Sequence, residues 1–221
     1  RILYAILGFG IIFLLVDIFL GQLALGDMFA IRSFGLAGIY VFGMVITIFL
    51  GASILYKEIE RRTLYFILSK PVSRSSVVVG KFLGLYAAVI VTTLLMLLVY
   101  LGIIYYNGGG FDSGGALAVL YELMEEGLFT AMLVFFSSFA SPLTATLSST
   151  LLLFSGHLLS STLESAKLAG GITYKIFRVA YYLLPNLEKF DIRSLVIHNT
   201  RVDLTLTLSS FAYMFFYSAV L

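Results

Sequence analysis

The chain has 221 residues, 60% of them hydrophobic and 12% charged, with a formal net charge of +2. An ordinary soluble domain is about 45–50% apolar and about a quarter charged, so this chain lacks the polar side chains a soluble globule needs. A mean hydropathy of +1.03 excludes disorder, and the absence of cysteine excludes a disulfide scaffold. What remains is an integral membrane protein, and its long continuous apolar runs read as helices rather than barrel strands.

Six apolar stretches follow in chain order: Ile2–Leu20, Phe34–Tyr56, Phe82–Tyr106, Leu117–Phe139, Leu143–Leu163 and Leu204–Leu221. At about 1.5 Å rise per residue, each can cross about 30 Å of hydrocarbon. The expected fold is all-α and integral to the membrane, a single transmembrane domain over residues 1–221 with six spans. The chain opens on Arg1 and stops at Leu221 inside an apolar run, so both ends read as cuts in a longer product. Ile2–Leu20 is long for a secretory leader and has no small-residue cleavage pattern after it, so it reads as a span. The fourth stretch is irregular, because Glu122, Glu125 and Glu126 crowd its start. Either that helix opens with a solvated polar turn, its acids favoured by the N-terminal dipole, or the carboxylates face protein or water. They could also collect a cation at the mouth of a path.

The connections set the orientation. Gly21–Ser33 is short, Asn107–Ala116 is Gly-rich, and Ser141-Pro142 is a tight turn. Lys57–Lys81 holds six basic residues: Lys57, Arg61, Arg62, Lys70, Arg74 and Lys81. Basic loops stay on the cytoplasmic side, so this loop is expected inside and Gly21–Ser33, Asn107–Ala116 and Glu164–Asp203 outside. The last of these strains the rule, since it also holds six: Lys167, Lys175, Arg178, Lys189, Arg193 and Arg201. Within it, Tyr174–Leu184 is apolar but too short to span before Pro185-Asn186. It is expected to form one or two short amphipathic or re-entrant helices over the translocation path, where protein or water must satisfy the backbone. The 14 tyrosines, in a chain with no tryptophan, suit an interfacial aromatic belt.

Lys57–Lys81 is the most informative segment. Lys57–Leu68 mixes charges with Ile59, Leu64, Phe66, Ile67 and Leu68, which suits a helix lying at the membrane surface. Pro71 ends that helix and pushes Lys70 out of the helical region. Ser73 or Ser75 can then cap the helix that leads into span three. Such a unit can take a push from a cytoplasmic partner. Equally, a basic juxtamembrane loop can do no more than set topology and bind anionic headgroups.

The run Glu60, Arg62-Thr63-Leu64, Leu68-Ser69-Lys70-Pro71-Val72-Ser73-Arg74 and Gly80-Lys81 resembles the type-2 family of ABC exporter permeases. Phe136-Ser137-Ser138, Ser141-Pro142 with Ala145, and Tyr182-Leu183-Leu184-Pro185-Asn186-Leu187 are similar to the same family; Arg62 departs from it, standing where the family often has Gly. The resemblance implies a six-span permease with a cytoplasmic coupling helix between spans two and three, docked on a separate ABC ATPase. ATP and magnesium would bind that partner, and this chain would hold no cofactor and no catalytic or metal site. Glu58, Glu60, Arg61 and Arg62 would make charge contacts to the ATPase, while Leu64, Phe66 and Ile67 pack into its groove. Lys70, Pro71 and Arg74 would fix the angle into span three. A second copy, membrane lipids and an outer accessory protein are the other implied partners, and none is a nucleic acid. The implied location is a multi-pass place in the cell membrane, the inner membrane of a prokaryote.

Other residues carry weaker signals. No Gly-x-x-x-x-Gly-Lys-Ser/Thr run exists, so the chain offers no phosphate loop. Ser155-Gly156-His157 invites a protease reading, but residues two apart on a helix point about 200° apart. Asp17, near the end of span one, could couple an ion. No His/Cys/Asp set has metal-ligand spacing. Asp112 and His198 have no partner legible in sequence. Gly35, Gly38, Gly43, Gly80 and Gly84 permit close helix approach. The sparse charge within the spans favours a lipid-like or hydrophobic substrate. The alternatives to an exporter permease are an ATPase-independent assembly or anchoring subunit and an ion-coupled secondary carrier.

Overall fold

The computed structural model describes residues 8, 10–13, 15–16, 18–19, 27–51, 73–198 and 203–221. Among them the fold is all helix, with no strand. The described positions between 8 and 19 are helical. Then come α1 (Met28–Gly51), α2 (Arg74–Tyr106), α3 (Ser113–Ser137), α4 (Pro142–Ala169) and α5 (Gly171–Leu183). A 3₁₀ turn at Glu188–Phe190, the short α6 (Arg193–Ile197) and α7 (Leu204–Val220) complete the chain.

Short polar side chains start these helices. Asp27 Oδ1 accepts the Phe29 N–H at 3.0 Å, and Ser73 Oγ accepts that of Ser76 at 3.1 Å. Asp112 takes the Gly115 N–H, Ser141 that of Thr144 ahead of Pro142, and Asp203 that of Thr205. Each bond satisfies one of the backbone donors a helix start leaves open. Of the two caps expected from sequence, Ser73 and Ser75, Ser73 is the one used, and it sets the start of α2 at Arg74, eight residues before the expected span.

Three helices are long and apolar enough to cross a membrane: Met28–Gly51, Arg74–Tyr106 and Pro142–Ala169. α3 has the length, but its three glutamates set it apart, and α7 is 17 residues long. α3 is the centre of the molecule. It packs against α1, α2, α4, α6, α7 and the 3₁₀ turn. The core follows it: Tyr121, Leu128, Phe129 and Leu133 are buried in one cluster with Ile39 and Ile46 of α1 and Met96 and Tyr100 of α2. In a bilayer this is the expected arrangement, because lipid receives apolar side chains as readily as protein does and the helix with three carboxylates is the one that needs covering.

The start of α1, the end of α2 and the start of α3 share one end of the bundle. There Arg32 pairs with Asp112 at 3.3 Å, and Tyr100 donates its hydroxyl proton to Asp112 at 2.7 Å. So Asp112, without a partner legible in sequence, has three. At that end Val196 lies against Gly114, and the His198 ring meets Phe29 edge-on at 5.9 Å. The glycines expected to allow close approach divide. Gly43 does so, whereas nothing in the described fold lies near Gly80 or Gly84.

Candidate functional site

Glu58, Glu60, Arg61, Arg62, Leu64, Phe66, Ile67, Lys70 and Pro71 lie outside the described residues, as does Asp17. Of the expected coupling residues only Arg74 is described, exposed at the first position of α2. The chemistry that the described fold does gather is the acidic group of α3.

Glu122, Glu125 and Glu126 are 4%, 1% and 0% exposed. They are therefore not a solvated helix start. The helix begins nine residues before Glu122, at Ser113, and the acids sit mid-helix inside the bundle. Positions three and four apart share a face, and each carboxylate meets a different neighbour. Glu125 Oε1 takes His157 Nε2 of α4 at 2.7 Å and the Tyr40 hydroxyl of α1 at 3.1 Å. Tyr40 and His157 are themselves 3.1 Å apart, which closes a triangle across three helices. Glu126 accepts the Thr93 hydroxyl of α2 at 2.9 Å. Its other side is occupied by α1 at Gly43, where a Cβ would collide with the carboxylate and lie 3.3 Å from Glu122 Oε1. Glycine is required there by lack of space. Glu122 Oε1 has no hydrogen-bond partner among the described residues.

The stretch after α4 completes this polar centre. Gly170 and Gly171 both have positive φ, 67° and 61°, a conformation open to residues without Cβ. The chain reverses there, and α5 runs back beside α4, so that Thr173 and Phe177 line one groove with Ser161, Ser165 and Ala169. By Leu187 it has reached Gly156, to whose carbonyl the Leu187 N–H donates at 3.3 Å. A Cβ on Gly156 would lie 2.6 Å from the Pro185 carbonyl. The glycine of Ser155-Gly156-His157 thus makes room for a descending backbone, and the Ser155 hydroxyl donates to Leu152 of its own helix. The Asn186 N–H donates to the Tyr213 oxygen of α7 at 2.8 Å, and its side-chain amide to Tyr181. This irregular backbone is held by protein on each side, as membrane depth demands.

Further on, Arg193 lays its guanidinium 4.0 Å over the Tyr40 ring and grips Asp191 through two hydrogen bonds, 2.9 and 3.0 Å. Burial pushes the Asp191 carboxyl up, but the bonds and charge of Arg193 outweigh it and hold the group below its ordinary range. Tyr40 is twelve residues into α1, about 18 Å along its axis. α6 then climbs back to Gly114. The segment expected to be amphipathic or re-entrant runs back beside α4 as far as Gly156 and returns through α6 to Gly114, with Arg193 over Tyr40, whose hydroxyl bonds Glu125. Sequence reasoning named His157 and the three glutamates, but it missed Tyr40, Thr93, Asp191 and the pairing with Arg193.

Three of the described helices are long and apolar enough to cross a membrane, and much of the bundle's exposed surface is apolar, which makes the chain a membrane protein in class. The chain belongs to the ABC-2 transporter family: the family model described as "ABC-2 family transporter protein" matches residues 14–220. It is a type-2 ABC transporter permease, a membrane protein of a family that works with an ABC ATPase. No curated protein and no solved structure matches the chain.

Proposed function

We propose that this permease is the membrane half of an ATP-driven exporter, with six spans and a cytoplasmic coupling segment at Lys57–Lys81. The observation that carries the reading is the family match over residues 14–220, within which lies the Glu60, Arg62-Thr63-Leu64 and Ser69-Lys70-Pro71-Val72-Ser73-Arg74 run. In this reading the end of the bundle holding Asp112 and His198 faces outward. ATP closes two ATPase subunits below a dimer of this chain. Glu58, Glu60, Arg61 and Arg62 bind the ATPase surface, Leu64, Phe66 and Ile67 fill its groove, and Lys70, Pro71 and Arg74 pass the movement into α2. Thr93 of α2 and Gly43 of α1 both touch Glu126, so a shift of either helix is felt at the polar centre and at the re-entrant tip. Alternating access then follows from ATP binding one of two arrangements more tightly.

The test is co-purification after gentle detergent extraction from the native membrane. Wild-type protein is expected to bring down an ABC ATPase, and a variant with Glu58, Glu60, Arg61 and Arg62 all changed to alanine is expected to lose it. Equal recovery from both would overturn the coupling assignment. No ATPase with either would favour an anchoring subunit or an ion-coupled carrier.

A further inference from the structure

We infer that α5 is a binding face for anionic phospholipid, its apolar stripe among the acyl chains and its two cations on the headgroup phosphates. The helix follows the glycine turn at the end of α4 and descends beside it, with Thr173 and Phe177 toward α4. Ile172, Ile176 and Val179 recur at spacings of four and three, so they share a second face. That face is 75%, 61% and 65% exposed. Lys175 and Arg178 lie beside the stripe, exposed and without an ion pair among the described residues.

A face with these two properties meets neither water nor plain hydrocarbon well. Apolar side chains bordered by basic ones are the composition of helices seated at the boundary of headgroups and chains. The depth agrees. α4 has 28 residues, while about 20 cross the hydrocarbon, and its Glu164 and Lys167 both lie in the last two turns, so those turns and the start of α5 fall in the headgroup layer. The charge selects the lipid, because a basic side chain near an anionic surface gains roughly fivefold in preference. No acidic residue lies between Gly171 and Leu183 to cancel it.

These 221 residues hold no tryptophan, so one introduced indole is the only one among them, and any tryptophan elsewhere in the product would be changed to phenylalanine. Ile176→Trp protein would be reconstituted in bilayers of equal phosphatidylglycerol and phosphatidylcholine, with one or the other lipid dibrominated in its chains. Leu151→Trp, at an exposed position of α4, reports on ordinary bilayer and should be quenched equally by both. The brominated phosphatidylglycerol is expected to quench the Ile176→Trp protein several-fold more than the brominated phosphatidylcholine. Adding Lys175→Gln and Arg178→Gln should equalise them. Val179→Trp repeats the test should the first variant fold poorly. Equal quenching before the cations are removed would overturn the headgroup assignment. Quenching of the Leu151→Trp protein but not of the Ile176→Trp protein would mean that protein or water covers α5, and would overturn the whole inference without touching the permease reading.

Discussion

α2 and α3 are neighbours of similar build that solve opposite problems. Of the 33 residues of α2 only 7 are buried, and of the 25 in α3, 18 are. The helix with no acidic residue lies outside, and the one with three glutamates lies at the centre. In water the order would reverse, because apolar surface would seek the interior. Here lipid covers apolar side chains without penalty, so an apolar helix such as α2 can lie at the edge, while the Glu125 and Glu126 carboxylates of α3 take their partners from the helices around them. Within α2 itself, Thr93 is buried where it meets Glu126.

The contrast can be broken most severely at the centre. Leu128→Ala in α3, fully buried, should cost about 3 kcal/mol through the cavity it leaves, read as a large fall in unfolding temperature in detergent. Gly43→Ala comes next, at about 2 kcal/mol, since its methyl group has no space beside the Glu126 carboxylate; the same measurement checks it, and Glu126→Ala in the same chain should recover part of the loss. Arg193→Leu should cost about 1 kcal/mol by removing the cation from the Tyr40 ring. Because the Asp191 carboxyl is held low by Arg193, the pair stabilises at neutral pH and loses its effect as pH falls through the folded-state value. The gap between wild type and this variant should therefore narrow in acid, and an unchanged gap would show that the charge pair contributes nothing. Ser141→Ala, losing a helix cap, should also cost about 1 kcal/mol, without pH dependence. Leu98→Ala, exposed on α2, should stay within about 0.5 kcal/mol, and a larger effect would place that face against protein.

Where sequence succeeded, the cause was local. Ser73 and Ser141-Pro142 mark their helix starts because a hydroxyl bonds backbone two or three residues on, within reach of any short-range reading. The short helix before Pro185 was legible for the same reason. The glutamates were not. Their spacing placed them on one side of a helix, but whether that side is solvated depends on Tyr40, Thr93 and His157, which come from three other helices far off in the chain. The same holds for Ser155-Gly156-His157. Its neighbours suggested chemistry, whereas its glycine answers to the backbone of Pro185, close in space but not in sequence. The expected start of the fourth stretch at Leu117 came late because its polar first turn, capped by Asp112, carries no hydropathy signal.

The glutamates of α3 also bear on how the chain is made. A charged residue at the middle of a helix entering the membrane alone costs on the order of 3 kcal/mol, and α3 carries three. The apolar residues of the same helix offset part of that cost, and the partners of the carboxylates offset more. Its partners Tyr40 and Thr93 are synthesised before it, and His157 and Arg193 after it. The polar centre is therefore complete only once helices on both sides of α3 in the chain have packed against it.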